Sequence, residues 1–277
     1  MNIVLSTDEN YVVPTATCIQ SIIEQNPDED ICFYILTNWI SDDSIMKFAE
    51  MQERSGKEFV IKEVDGKEFV GLYTSDRYPL PVYYRMLAPS IIPDEKCLYL
   101  DGDIIVTGNI RCLYDTDIKG FACGVVEDSA GDDIRRHNKL NMYGLYFNSG
   151  VLLMNLDYWR ENHITKQAVK MMSDNRKLFN RLPDQDCLNI LLEGKVKKMS
   201  YIYNYQNAFY EGLTPAQRLL KNSKYELIER LMPSALVIHF TDTRKPWHME
   251  CLNPMANTAR SIATRTPWKG FNITSKK

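Results

Sequence analysis

The sequence predicts an α/β protein built on a largely parallel sheet with helices on both faces. Two observations carry this. Short apolar runs alternate with helical spacing through the first part of the chain, a βαβαβ rhythm. The 277 residues are 44% hydrophobic, enough to fill one large core.

Residues 3–5, Ile-Val-Leu, form a short apolar strand. Residues 11 to about 25 have helical spacing, with Pro14 tolerated in the first turn. Residues 31–36 read as a second strand, and Ser41 caps a helix that ends near Gly56. Residues 59–64 form a third strand. Further on, residues 79–92 are helical and residues 97–100 are a buried strand. Residues 120–126 and 151–156 are strands, residues 157–174 and 186–192 helices, and 201–205 an aromatic, strand-like tract. Residues 235–240 are the last strand. No internal repeat or low-complexity linker divides the chain, so one domain over 1–277 is expected. The last roughly 70 residues then pack over the sheet and complete the site.

A net charge of −3 without a basic block gives no sign of a nucleic-acid partner, and none is expected. Met1 leads straight into Asn2-Ile3-Val4-Leu5, too short for a signal peptide, and no apolar run approaches a transmembrane span. Seven scattered cysteines without a C-x-x-C pair point to free thiols and a reducing, cytoplasmic compartment.

The strongest chemical feature is Leu98-Tyr99-Leu100-Asp101-Gly102-Asp103. Carboxylates two residues apart point the same way in extended chain, so both can meet one cation. At the carboxyl end of a parallel strand they face the crevice where α/β proteins bind ligands. Gly102 lets the backbone bend or approach a ligand. A solvated Asp-Gly turn is the alternative. His239 ends an apolar strand and is either a packed core residue or the imidazole of a Mn²⁺ site. Lys245 supplies a compact positive charge for a diphosphate. In Leu182-Pro183-Asp184-Gln185-Asp186, Asp184 either caps a helix or offers a carboxylate, with the Gln185 amide, to sugar hydroxyls. Tyr146-Phe147-Asn148-Ser149-Gly150 places small and polar residues before a buried strand, where a turn is the plain reading. Ser6-Thr7-Asp8-Glu9-Asn10 follows the first strand; Asp8 can cap the next helix, accept a uracil N–H, or both.

These blocks, in this order, resemble glycosyltransferase family 8, most closely the bacterial retaining galactosyltransferases of lipopolysaccharide outer cores. The resemblance covers residues 2 to about 251. It rests on Asp8-x-Asn10-Tyr11, Tyr84-Arg85, Asp101-Gly102-Asp103, Asn148-Ser149-Gly150, Asp184-Gln185-Asp186, and His239 followed by Lys245-Pro246-Trp247-His248. It implies a GT-A fold, a Rossmann-like nucleotide-diphospho-sugar transferase fold with a mixed central sheet flanked by helices. It also implies a UDP-hexose donor, a saccharide or glycoconjugate acceptor, and Mn²⁺, with Mg²⁺ as the other metal. By position, Asp101, Asp103 and His239 become the metal ligands, and Ser6, Thr7, Asp8 and Asn10 meet the nucleoside. Lys245 meets the diphosphate, with Gly102 beside it. Arg85, Asn148, Asp184 and Gln185 surround the donor sugar, and Asp128 lies near the reacting carbon. Because Gln185 is an amide and a poor nucleophile, front-face transfer with retention is implied over double displacement.

Two departures stand out. Asp242 occupies a place where the family often has Gly, and the basic, aromatic C-terminal tail of the related galactosyltransferases is reduced here to Lys276-Lys277. Membrane association is then expected as peripheral contact at most. The rival classes are a sugar-1-phosphate nucleotidyltransferase and a non-catalytic nucleotide-sugar-binding protein. Acceptor choice is assigned to residues 71–78, 129–143 and 207–219.

Overall fold

A computed structural model describes residues 1–76, 78–210, 223–241 and 243–275. Its main sheet, among these residues, has seven strands in the order β3-β2-β1-β4-β7-β6-β8. The strands are β1 (Asn2–Thr7), β2 (Cys32–Thr37), β3 (Glu58–Glu63), β4 (Lys96–Leu100), β6 (Cys123–Glu127), β7 (Phe147–Asn155) and β8 (Val196–Lys198). A smaller sheet joins β5 (Ile104–Val106), β10 (Val237–His239) and β9 (Tyr205–Gln206), in the order β5-β10-β9.

The expected βαβαβ start is present. β1 pairs in parallel with β2 and β4, and β2 with β3. Between them run α1 (Val12–Gln25) and α2 (Asp42–Ser55). The Ser41 side chain accepts from the Ser44 N–H, and Gly56 closes α2 in the left-handed region at φ 66°. The sheet is mixed, because β7 runs antiparallel to both β4 and β6. Side chains alternate across it. Ile3, Leu5, Leu98, Leu100, Val151 and Leu153 enter the core under α1. Val4, Cys97, Tyr99, Leu152 and Met154 enter the opposite core with Tyr83, Met86 and Trp159.

Several expected elements differ. Residues 157–174 form two helices, α6 (Leu156–Glu161) and α7 (Ile164–Asp174), because His163 adopts φ 51° between them. Residues 79–92 form a 3₁₀ helix, Leu80–Leu87, followed by a short α3 (Ala88–Ile91). The tract 201–205 is mostly a 3₁₀ turn, Tyr201–Tyr203, reaching the small sheet only at Tyr205. Residues 129–143 contain a short helix, α5 (Gly131–His137), preceded in the chain by α4 (Arg111–Tyr114). Asp184 does not cap α8 (Pro183–Leu191): Leu182 holds the N-cap position, and Asp184 sits in the first turn. Asp8 precedes the 3₁₀ turn Glu9–Tyr11 without a side-chain capping bond. Asp242, and residues 211–219 of the third acceptor-choice segment, lie outside the described residues.

Because β7 is antiparallel, its first residues lie beside the carboxyl ends of β4 and β6. Residues 7–8, 101–103, 127–128 and 147–150 therefore share one edge of the sheet. That is where ligands bind in open α/β sheets.

Candidate active site

Leu100 ends β4, and the chain crosses through Asp101-Gly102-Asp103 into β5 of the small sheet. There His239 of β10 pairs with Ile104, and Phe240 N–H donates to the Asp103 carbonyl at 3.0 Å. This register brings His239 to the aspartates. Its Nε2 lies 3.2 Å from Asp103 Oδ1 and 3.8 Å from Asp101 Oδ2. The three side chains present ligand atoms within 4.8 Å of one another. His239 Nδ1 is 3.1 Å from Asn204 Oδ1, while Asn204 Nδ2 donates to Asn148 Oδ1 at 2.9 Å. With that amide orientation, His239 donates from Nδ1 to Asn204, and Nε2 faces the carboxylates. Gly150, opposite on β7, leaves the cluster its room: a Cβ there would lie 2.5 Å from Asp101 Oδ2.

Each carboxylate is held. Asp101 Oδ1 accepts from Tyr99 Oη at 2.8 Å and from Arg85 Nη2 at 2.9 Å. Asp103 Oδ2 pairs with Lys245 Nζ at 2.6 Å. Burial alone would raise the Asp103 carboxyl, but Lys245 and His239 hold it well below the usual carboxylate range. Gly102 has no left-handed φ; a Cβ there would meet Thr15 Oγ1 at 2.7 Å and the Tyr11 ring at 3.1 Å. Glycine is thus needed for close packing against Thr15 and Tyr11, within a turn at residues 102–103.

Beside the cluster lies a polar wall. Arg85 is 4% exposed, its face 4.4 Å from the Tyr99 ring, and its Nε lies 3.4 Å from Asp184 Oδ2. It also donates to the Ser149 carbonyl. Asp184 Oδ2 accepts from Ser149 Oγ at 3.1 Å. Gln185 Oε1 accepts from Ser149 N–H at 3.0 Å, and its Nε2 donates to Asp128 Oδ2 and to Tyr146 Oη, both at 3.2 Å. Asn148 Nδ2 also reaches Asp128 Oδ2, at 3.2 Å. Burial raises the carboxyls of Asp128 and Asp184, against their hydrogen-bond donors and, for Asp184, against Arg85.

A cleft of about 910 Å³ unites the expected positions: Ser6, Thr7, Asp8, Asn10, Arg85, Asp101, Gly102, Asp103, Asn148, Asp184, Gln185, His239 and Lys245 all line it. Asp128 lines instead a neighbouring cavity of about 860 Å³, which shares Asn148 and Gln185 with the cleft. Also lining the cleft, Ser6 Oγ and Asp8 Oδ1 are buried polar atoms with no hydrogen-bond partner among the described residues.

Sequence reasoning missed Asn204, which orients His239, and Glu9. The Glu9 carboxylate accepts from Ser41 N–H and Ser41 Oγ, each at 2.8 Å, and from Ser44 Oγ at 3.1 Å, anchoring the loop that presents Asp8 and Asn10. A Glu next to a polar loop and an Asn before a short strand carry no local signal of such roles.

A cleft on the carboxyl edge of a mixed sheet, with three side chains that could hold a cation, is the layout of a GT-A glycosyltransferase, the fold of the solved structures that this chain resembles. The chain belongs to glycosyl transferase family 8, whose family model matches residues 2–251. It is 25% identical over 275 residues to the lipopolysaccharide 1,2-glucosyltransferase of Escherichia coli K12, covering 97% of this chain and 79% of that one. It is 26% identical to the lipopolysaccharide 1,3-galactosyltransferase of Salmonella typhimurium, covering 96% and 79%. Galactosyltransferase LgtC, solved in complex with donor and acceptor sugar analogues, superposes with a TM-score of 0.82 at 27% identity over 96% of each chain.

Proposed function

We propose that this transferase is a retaining hexosyltransferase, moving galactose or glucose from a UDP-sugar to a hydroxyl of a saccharide or glycoconjugate acceptor. The observation that carries the reading is the meeting of the two cavities at Gln185 and Asn148, with the Asp101–Asp103–His239 cluster on one side and Asp128 on the other. Two carboxylates and one imidazole, without a thiol, suit Mn²⁺, or Mg²⁺ less well, and leave coordination positions for phosphate oxygens. Asp101, Asp103 and His239 would hold such a cation, which would supply positive charge opposite the negative charge that grows on UDP. Lys245 adds a second positive charge at the diphosphate. Asp8 and Ser6 offer their unpartnered oxygens to the nucleoside, with Thr7 and Asn10 beside them. Arg85, Asn148 and Asp184 hold the donor sugar, with Gln185 at its reacting face. The Gln185 amide is a poor nucleophile, which favours front-face transfer, the leaving phosphate accepting the acceptor's proton. The second cavity, lined in part by α5 and by Asp128, receives the acceptor.

The relatives' names support a glucose or galactose donor and a saccharide acceptor. The described cysteines are all free thiols, which fits the cytoplasm. No helix of the described residues is long and apolar enough to cross a membrane, so we read any membrane association as peripheral contact. We read the chain as one domain, because one core cluster gathers residues from Ile3 to Ile262.

A donor screen by UDP release with Mn²⁺, over UDP-glucose, UDP-galactose and their N-acetyl forms, tests the reading. Turnover with a hexose donor is expected, abolished by EDTA and restored by Mn²⁺, with an α-linked product by NMR. A β-linked first product would overturn retention. Activity only with a sugar-1-phosphate plus UTP would make the protein a nucleotidyltransferase, and donor binding without turnover a binding protein.

Lys245→Ala is expected to weaken UDP binding by about 1.5–3 kcal/mol, roughly 10- to 150-fold, the worth of a hydrogen bond to a charged group. Because Lys245 Nζ occupies Asp103 Oδ2 at 2.6 Å, Mn²⁺ binding by the free variant should be equal or tighter. Calorimetry with UDP and with Mn²⁺ separates the two effects, and unchanged UDP affinity would remove Lys245 from the phosphate site.

A further inference from the structure

Asp186 follows Gln185 in the first turn of α8, is 0% exposed and lines neither cavity. A carboxylate taken so far from water is costly unless its oxygens are well served. Both are. Oδ1 accepts from Tyr146 Oη at 2.5 Å and Oδ2 from Asn138 Nδ2 at 2.8 Å. Neither donor is charged, so the arrangement is not an ion pair.

The two donors lead to different places. Tyr146 Oη is also the acceptor for Gln185 Nε2, at 3.2 Å. An ionised carboxylate only accepts, so Tyr146 must direct its single O–H at Asp186 and offer a lone pair to Gln185. That choice turns the Gln185 N–H₂ toward Tyr146 and Asp128, and leaves Oε1 for the Ser149 N–H. Asn138 is the residue that closes α5, and α5 contributes Asp133, Arg136 and His137 to the second cavity.

We infer that Asp186 is a positioning residue: through Tyr146 it sets the orientation of the Gln185 amide, and through Asn138 it fixes the α5 wall of the second cavity. The inference rests on the transferase reading above, in which Gln185 faces the reacting sugar and the second cavity takes the acceptor.

Protonation should undo the arrangement. Burial raises the Asp186 carboxyl to about 6, helped by the neighbouring carboxylates of Asp184 and Asp128 and opposed by Tyr146 and Asn138. Below that pH the carboxyl carries a proton, becomes a donor itself and competes for the Tyr146 lone pair. Activity is therefore expected to fall as the pH drops through about 6. Stability runs the other way: the folded group holds its proton above its unfolded value of 3.8, so its contribution is full at low pH and lost as pH rises through about 6.

The test uses the full chain with the donor identified by UDP release. Asp186→Asn is expected to lower transfer kcat about tenfold, to flatten the acid limb near pH 6, and to leave the UDP affinity measured by calorimetry with Mn²⁺ within twofold. Tyr146→Phe should lower kcat more than it raises the acceptor KM; Asn138→Ala should do the reverse and speed amide hydrogen exchange in α5. The two single-branch variants keep the test open if Asp186→Asn folds poorly. Wild-type kcat, KM and pH profile in Asp186→Asn, or a parallel loss of UDP affinity, would overturn the proposal. Absence of turnover in the wild-type enzyme with every donor would instead overturn the transferase reading, and faster exchange of α5 in Asn138→Ala would still support its anchoring by Asp186.

Discussion

Asp103→Ala is expected to lower sugar transfer at least about a thousandfold and to abolish its dependence on added Mn²⁺, the scale on which loss of charge stabilisation at a developing anion acts. The carboxylate faces His239 Nε2 at 3.2 Å and Lys245 Nζ at 2.6 Å. Alanine removes one of the three proposed cation ligands and leaves Lys245 without its carboxylate partner at the cluster. In the wild-type protein UDP plus Mn²⁺ should stabilise by about 2.7 kcal/mol at a hundredfold excess over Kd. That amounts to several degrees of Tm for a chain of this size. Asp103→Ala should show little of this shift, while its circular dichroism should match that of the wild type. Undiminished transfer by the variant after EDTA treatment would sink the assignment of the cluster.

How much of this site was legible depends on how local each signal is. Asp101 and Asp103 stand out because an apolar strand, buried between two neighbours, ends in a D-x-D. α2 is legible from Ser41 and Gly56, whose capping chemistry acts within a single turn. The direction of β7 is not, since a strand buried on both faces looks apolar whichever way it runs. Yet that direction delivers Asn148, Ser149 and Gly150 to the site. His239 is the clearest case of a non-local signal. Its place is set by the β5–β10 register, between segments far apart in sequence, so only the resemblance separated it from an ordinary core histidine. Asn204, Tyr146 and Glu9 act through hydrogen bonds to residues distant in sequence, which no periodicity encodes. The α6–α7 break escaped notice because His163 takes a left-handed conformation without the glycine that usually announces one.

Gly150→Ala should be nearly as damaging as loss of a ligand, although it removes nothing. A Cβ at this position would lie 2.2 Å from His239 Cε1, 2.5 Å from Asp101 Oδ2 and 3.0 Å from His239 Nδ1. Contacts this short force a neighbour to move, and neither neighbour is a loose end. His239, 3% exposed, is tied to Asn204, and Asp101 is tied to Arg85 and Tyr99. Shifting the ring breaks the bond that fixes its proton; shifting the carboxylate breaks the pair that holds Arg85 against Asp184. Moving the backbone is no easier, because the Gly150 carbonyl accepts from Asp101 N–H at 2.9 Å. The expected result is a stability loss of about 1–3 kcal/mol from overpacking, together with a loss of Mn²⁺ affinity and of turnover approaching that of Asp103→Ala. Gly124→Ala supplies the comparison. Its Cβ would press on Met199 Sδ at 2.8 Å, in the core and away from the cleft. It should lower the denaturation midpoint while leaving Mn²⁺ affinity, measured by calorimetry, close to wild type. If Gly150→Ala instead bound Mn²⁺ and turned over like the wild type, the close approach of Asp101 and His239 at β7 would not be what shapes the cation site.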